Sequence, residues 1–322
     1  MRSYLPRLAA LFLLASIAGL AHAQSWPNRQ IRLINGFAPG GSSDIVARIV
    51  AQKMSESLGQ QVVVETRTGS GGIIANEAVA SAPPDGYTLL LVTAAFPAQA
   101  AVMKKLPYDP LKSFAMVSLL TTYPFAIAVN ASSPVRTLPE LIANAKANPG
   151  KLNFSSAGIG TVHHLSGELF NAMALTDLTH VPYRGGTAPL TELLAGRIDV
   201  MFETMTVVLP QVKSGKIRAV AVTSAQRSPF LPDVQTVAET LPGYDVVSWL
   251  GIATVAGTPP EIVERLSREV AKALESPDVK QRFADLGGVP RPTSSAEMLA
   301  HVEGEVAKWK RIAQTRGIES PQ

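Results

Sequence analysis

The residues best suited to chemistry lie where an apolar segment, residues 31–37, runs through a glycine turn into the start of a helix. Backbone N–H groups at a helix N-terminus have no partner within the helix and lie at the positive end of its dipole. Glycines let a ligand approach that backbone closely. The pattern predicts a site for a carboxylate or phosphate that needs no Lys or Arg. The turn and helix start contain Gly40, Gly41, Ser42, Ser43 and Asp44.

A second strand, turn and helix start carry similar chemistry further along the chain. They contain Ser156, Gly158, Gly160, Thr161, His163 and His164. We interpret the two histidines as ligand contacts or polar packing rather than as metal ligands or a general base. One glycine-rich turn is often a mere connection, but two such turns indicate two halves of the protein that face one ligand.

The N-terminus has the pattern of a secretory signal peptide. Arg2 and Arg7 precede an apolar run over residues 8–20, which ends in Ala21-His22-Ala23. We therefore expect a signal peptide over residues 1–23, cleavage after Ala23 and export of the mature chain to the periplasm. The apolar run is shorter than the roughly 20 residues that a membrane helix needs.

Composition narrows the class of protein further. Removal of Arg2 and Arg7 leaves 27 of the 29 basic residues against 25 acidic ones, so the net charge falls from +4 to +2. So small an excess predicts no attraction to nucleic acid or to a membrane surface. The chain has no cysteine, so burial of a core must stabilise the exported protein without disulfides. About 300 residues favour two domains over one.

Short apolar runs alternate with segments of helical periodicity, which predicts an α/β fold. Helices are expected between the strands. One should begin with Ser42, Ser43 or Asp44 as N-cap and end at Gly59. The last third should be helix-rich, with helices over residues 260–275 and 277–286 and a long amphipathic final helix. We expect Leu193, Leu194 and Met201 in the core. Predicted strands cover residues 31–37, 62–65, 88–93, 125–129, 153–156, 178–181, 200–202, 219–223 and 249–255.

Signatures of enzymes are incomplete. The first turn lacks the final glycine of a nucleophile elbow, and the second lacks the third glycine of a dinucleotide fingerprint. We therefore expect no enzyme activity, no cofactor and no metal. One alternative stays open, a secreted hydrolase or transferase in which Asp44 or Glu203 acts with His164.

Seven segments together resemble one family, the Bug-type extracytoplasmic solute receptors associated with tripartite tricarboxylate transporters. The resemblance runs from about Trp26 to Lys310. Its segments are FAPGGSSD at 37–44, PDGYTL at 84–89, KLPYDPLK at 105–112, ANPGKLN at 147–153, HVPYRG at 180–185, DVMF at 199–202 and LPDVQTV at 231–237.

The resemblance implies a type II periplasmic-binding-protein fold, in which two α/β lobes close on a small organic carboxylate. Lobe one would contain residues 24–123 and 246–322, and lobe two residues 124–245. The expected partners are the ligand and the membrane subunits of a tripartite tricarboxylate transporter, and the expected state is a monomer. The same binding site would also suit a sensor that presents its ligand to a membrane signalling receptor.

The family's ligand contacts can be carried over by position. Glu203 departs from the aspartate that is more usual there, and its extra methylene should reshape the far end of the pocket. One wall would contain Phe37, Gly40, Gly41, Ser42 and Asp44, with Thr93 at a nearby strand end. The other wall would contain Ser156, Gly158, Gly160, Thr161, His164, Tyr183, Gly185, Gly186 and Glu203.

Overall fold

A computed structural model describes residues 26–185 and 187–316. The predicted signal peptide and Gly186 lie outside the described residues. Strands and helices alternate through most of the chain, as the sequence predicts. The strands are β1 (Ile31–Asn35), β2 (Val62–Thr66), β3 (Thr88–Thr93), β4 (Phe114–Asn130), β5 (Asn153–Ser156), β6 (Thr179–Pro182), β7 (Val200–Thr204), β8 (Ile217–Val222), β9 (Val247–Val255) and β10 (Val289–Pro290).

The helices follow the expected pattern, including the helix-rich final third. None of the described helices combines the length and apolar character that crossing a bilayer requires. They are α1 (Ser42–Leu58), α2 (Ile73–Ala80), α3 (Ala95–Val102), α4 (Leu138–Ala147), α5 (Val162–Ala174), α6 (Ala188–Leu194), α7 (Met205–Lys213), α8 (Pro260–Glu275), α9 (Pro277–Asp285) and α10 (Ser295–Arg316).

Strand β4 is shared between two sheet regions. Its first part pairs antiparallel with β9, and the pairing ends at Pro124 opposite Val247. From Phe125 onward it pairs with β7 and β8 instead. The strands follow the order β2-β1-β3-β9-β4-β7-β5-β6. β9, late in the chain, therefore lies between two early strands, and one long strand joins the two halves of the molecule.

The hydroxyl of Thr223 ties this junction together. It accepts a hydrogen bond from the Phe125 N–H (2.9 Å) and donates to the carbonyl of Val246 (2.7 Å). Thr223 is fully buried and follows β8 directly. The connection that enters β9 is thus held against β4 at the point where β4 changes partners.

Side chains on alternate positions of β3 enter two different cores, as the period of a strand requires. Leu89 and Leu91 pack with α1 and α8 on one face. Leu90 and Val92 pack on the other face with the apolar side of α10, which includes Met298, Val302 and Trp309. The sheet is therefore covered on both faces, which explains why this strand is apolar throughout.

Three predictions about local structure are wrong. Residues 125–129 form only the second part of β4, because Ser118, two threonines and Pro124 obscure the strand pattern before them. Helix α1 begins with Gly41 as its N-cap, and no side chain caps it. Leu194 is 38% exposed because it ends the short helix α6, whereas Leu193 and Met201 are buried as predicted.

Candidate functional site

The turn between β1 and α1 forms the first wall of a cleft. The buried side chain of Asn35 holds this turn, donating to the carbonyl of Phe37 (3.1 Å) and accepting from its N–H (3.3 Å). Gly40 has a φ of +82°, which favours glycine. Because Gly41 is an N-cap without a side-chain bond, the first N–H groups of α1 have no capping partner. The positive end of a 17-residue helix is therefore open to a ligand.

Asp44 supports this turn from within the helix. Its Oδ2 accepts from the N–H of Gly40 (3.1 Å), and its Oδ1 accepts from Nε of Arg48 (2.9 Å). The carboxylate is buried and does not line the cavity described below. Asp44 was predicted to contact the ligand, but in the structure its side chain stabilises the turn instead.

We expect Asp44→Ala to lower the free energy of unfolding by about 1–3 kcal/mol, because the Gly40 N–H then loses its partner. Chemical denaturation measures this loss. Arg48→Ala removes only an exposed ion-pair partner and should cost less than about 1 kcal/mol. Equal losses in the two variants would contradict the role of Asp44 in the turn.

The second predicted turn lies between β5 and α5 and is already capped. Oγ1 of Thr161 accepts from the N–H of His164 (3.4 Å) and donates to the carbonyl of Gly158 (2.6 Å). The N–H of Gly160 is bound by Nδ1 of His164 (3.3 Å). The two turns are therefore not equivalent. The N-terminus of α1 is free for a ligand, whereas that of α5 is largely satisfied by its own side chains.

A cavity of about 40 Å³ lies between the two walls. Residues at the end of β3, in the middle of β4, near the end of β7 and near the start of β9 contribute to its lining. The polar side of the lining comprises Ser42, Ser43, Thr93, Tyr123, His163, Glu203 and Ser248. The apolar side comprises Phe37, Ala94, Ala95, Phe125, Ala157, Val162 and Leu250. The backbones of Gly41 and Gly185 complete the lining.

Tyr123 brings a buried hydroxyl to this lining. It pairs across the sheet with Ser248. Its hydroxyl group makes no hydrogen bond of ordinary geometry with another described residue. Burial raises the pKa of Tyr123, opposed by the nearby hydroxyls of Ser42 and Ser248. The hydroxyl therefore stays protonated and can donate to a ligand.

The buried Glu203 forms a pair with the partly buried His163, and both line the cavity. Oε1 of Glu203 lies 3.1 Å from Nε2 of His163 and accepts from the N–H (2.7 Å) and the hydroxyl (3.0 Å) of Thr204. Burial alone would raise the pKa of Glu203, but His163 and the Thr204 donors outweigh it, so the pKa lies below its ordinary value. Glu203 is therefore an ionised carboxylate.

His164, at the start of α5, packs against His180 of β6. The rings of His164 and His180 stack with centroids 4.1 Å apart. Nε2 of His180 lies 2.6 Å from Oγ of Ser156, and that oxygen also accepts from the N–H of Gly158 (3.1 Å). Burial lowers the pKa of His164 to about 4 and, together with the neighbouring ring of His164, lowers that of His180 to about 3. Both rings are neutral packing groups at pH 7.

The two walls touch across the cleft. The N–H of Ala38 donates to the carbonyl of Arg184 (3.2 Å). A Cβ on Gly185 would lie 3.3 Å from the ring of Phe37, and one on Gly40 would lie 2.8 Å from Cγ2 of Thr187. The two walls are therefore in direct contact, and the glycines provide the room for that contact.

Six of the predicted site residues line the cavity: Phe37, Gly41, Ser42, Thr93, Gly185 and Glu203. Gly158 and Tyr183 line a separate, wider opening of the cleft. The other described site residues shape the turns, as given above for Gly40, Asp44, Ser156, Gly160, Thr161 and His164. Tyr123, His163 and Ser248 also line the cavity, although none of them was among the contacts that the family resemblance implied. Of the three, only His163 has a signal in the sequence, because it belongs to the histidine pair that follows the second glycine turn.

The residues of the alternative enzyme hypothesis are not brought together. Glu203 pairs with His163, whereas Nε2 of His164 lies 3.6 Å from Oε1 of Glu168. Asp44 is engaged by Arg48. Over residues 26–185 and 187–316, no group of three or more His, Cys, Asp or Glu side chains is placed to hold a metal ion. The arrangement is suited to holding a ligand by hydrogen bonds.

Comparison with known proteins gives a consistent result. Residues 46–318 match the sequence model of the tripartite tricarboxylate transporter family receptors. A protein encoded in the tcbD-tcbE intergenic region of Pseudomonas sp. strain P51 is 40% identical over 306 residues, which is 94% of this chain and 91% of that protein. Protein BugT of Bordetella pertussis is 34% identical over 308 residues, which is 95% of this chain and 94% of that protein.

Solved structures of similar proteins share the fold. Rpa4515 of R. palustris with adipate has a TM-score of 0.88 at 36% identity, covering 92% of this chain and 100% of that one. The periplasmic binding protein BugD has a TM-score of 0.88 at 34% identity, with the same coverage. MatC of Rhodopseudomonas palustris with bound malate has a TM-score of 0.85 at 35% identity, covering 89% of this chain and 99% of that one. The fold is therefore the two-lobed type II periplasmic-binding-protein fold that the sequence indicates.

Proposed function

This chain belongs to the tripartite tricarboxylate transporter receptor family, a family of periplasmic solute-binding proteins, and we propose that it captures a small organic carboxylate between its two lobes. The observation that carries the proposal is the uncapped N-terminus of α1, whose first residues line the cavity between the two walls. Its free N–H groups and the hydroxyl of Tyr123 are donors that suit a carboxylate. Similar proteins with adipate and malate support this ligand class.

We propose that nine residues of the cavity lining contact the ligand directly. Six of them are the predicted ligand contacts that line the cavity, and three were not predicted as contacts. Tyr123, Ser248 and His163 join the six predicted lining residues given above. Gly158 and Tyr183 line the wider opening, and the other described residues of the prediction act by holding the turns in shape. Gly186 stays a prediction by position.

We further propose that the protein delivers its ligand to the membrane subunits of a tripartite tricarboxylate transporter. Family membership supports this delivery, together with export through a signal peptide cleaved after Ala23. We propose lobe boundaries at residues 123/124 and 245/246. Both lie within one residue of the junction where β4 changes partners, and Thr223 ties Val246 to that junction.

Thermal unfolding of the mature protein at pH 7 with a panel of carboxylates tests the proposal. The panel contains citrate, C4 to C6 dicarboxylates, monocarboxylates, 2-hydroxy acids, amino acids and aromatic carboxylates. A ligand at 100 times its dissociation constant should add about 2.7 kcal/mol to stability and raise the midpoint. Recovery of the ligand unchanged would exclude turnover. If no carboxylate raises the midpoint, the proposed function is wrong.

A further inference from the structure

The cavity at the N-terminus of α1 is small compared with an organic acid. It measures about 40 Å³. For comparison, an engineered cavity of about 150 Å³ in another protein binds one benzene molecule. The cavity therefore has room for a carboxylate group and little more, so the rest of a longer ligand has to lie outside it.

The wider opening of the cleft lies directly beside this cavity. It has a volume of about 660 Å³, and Phe37 and Ala157 line both spaces. Together with Ala95, these two side chains form a small apolar cluster of their own. Phe37 belongs to the first wall and Ala157 to the second. The boundary between the two spaces is therefore apolar on both walls.

The ring of Phe37 lies against two glycines. A Cβ on Gly72 would lie 3.4 Å from Cε2 and Cζ of the ring, and one on Gly185 would lie 3.3 Å from Cδ1. Because neither glycine has a side chain, the ring can turn without meeting one there. Movement of this single side chain is enough to let an apolar chain pass between Phe37 and Ala157.

Apolar side chains from both walls line the wider opening. Ile74 lies on α2, and Ile159 lies in the turn between β5 and α5. Their exposed fractions are 46% and 41%, whereas most large apolar side chains of the described chain are buried. Exposed apolar surface on two sides of one opening is favourable for an apolar group that covers it. The lining also includes Ile73, Met103, Pro182 and Tyr183.

We propose that the wider opening is a second subsite, which holds an apolar chain attached to the ligand's carboxylate. This proposal rests on the proposed function and narrows it. The carboxylate lies in the cavity at α1, the chain passes between Phe37 and Ala157, and its carbons cover Ile74 and Ile159. The ligand class is then a carboxylate with an extended apolar chain rather than a short hydroxy acid.

The far end of the chain reaches solvent at the wider opening. Arg184 is exposed there, and none of the described residues that line the opening is acidic. Either a methyl group or a second, hydrated carboxylate can therefore end the chain. Chain length, and not the end group, is the property that this subsite selects.

Calorimetric titration of the mature protein at pH 7 with two series of ligands tests the subsite. One series contains unbranched monocarboxylates of three to eight carbons, and the other contains unbranched dicarboxylates of four to eight carbons. We expect the affinity to rise by about twofold to fourfold for each added methylene in both series, because each methylene that leaves water adds a similar increment.

Two variants locate the chain in the wider opening. Ile74→Ser and Ile159→Ser each remove apolar surface from one wall, so the affinity for octanoate and suberate should fall by about 3-fold to 10-fold. Val63→Ser is the matched control. Val63 is 40% exposed on β2 and lines neither space, so this variant should bind every ligand as the parent does.

The outcomes distinguish this inference from the proposed function. If carboxylates bind but affinity does not rise with chain length in either series, the inference is overturned while carboxylate capture stands. The inference is also overturned if Ile74→Ser and Ile159→Ser bind octanoate and suberate as tightly as Val63→Ser does. If neither these ligands nor any other carboxylate of the panel binds, the proposed function fails and the inference fails with it.

Discussion

Gly71→Ala should weaken ligand binding by about 10-fold to 100-fold by preventing the walls of the cleft from closing. Gly71 lies between β2 and α2 at the wider opening of the cleft, and a Cβ there would lie 2.8 Å from the carbonyl oxygen of Ile159 in the turn between β5 and α5. Because that oxygen belongs to the backbone, it cannot move aside as a flexible side chain would. Overpacking of this kind costs about 1–3 kcal/mol, and about 1.4 kcal/mol corresponds to tenfold in affinity.

Gly59→Ala is the matched control for this prediction. Gly71 and Gly59 have φ values of +64° and +68°, so alanine is strained at both positions. A Cβ on Gly59 would meet nothing within 4 Å. Both variants should therefore lose about 1 kcal/mol or more of stability, but only Gly71→Ala should lose affinity in calorimetric titration. Equal affinities in the two variants would show that contact at Gly71 does not limit closure.

Acidification from pH 7 to pH 5 should destabilise the protein through His164 and His180. Their pKa values in the folded state, about 4 and about 3, lie below the ordinary value of 6.5. Between these values the unfolded chain binds more protons than the folded one, so stability falls as the pH falls. Each histidine should cost about 2 kcal/mol by pH 5, and neither should contribute above about pH 7. Denaturant unfolding at a series of pH values measures this loss.

His180→Gln tests the assignment of that loss. Glutamine does not titrate and can still bond to Oγ of Ser156, so the loss between pH 7 and pH 5 should shrink by about half. His301, whose pKa burial also lowers, accounts for part of what remains. A parent protein that is equally stable at pH 5 and pH 7 would contradict the prediction.

Local patterns predicted much of the fold correctly. The alternation of apolar runs and amphipathic segments indicated an α/β architecture, and α1 ends at Gly59, which has the positive φ of a helix terminator. The prediction failed where local pattern and tertiary pairing disagree. The first part of β4 contains hydroxyl residues and a proline, yet it forms a strand because β9 pairs with it along its whole length.

The sequence by itself determined the two glycine turns and the uncharged character of the first one, because helix starts and positive φ values are local properties. Only the tertiary structure decided which turn is free: Thr161 and His164 occupy the donors of the second, whereas Asp44 turns to Gly40 and leaves α1 open. The tertiary structure also placed Tyr123 beside Ser248, and Glu203 against His163. These pairs come from distant segments, and their proximity depends on strand order, which no local periodicity encodes.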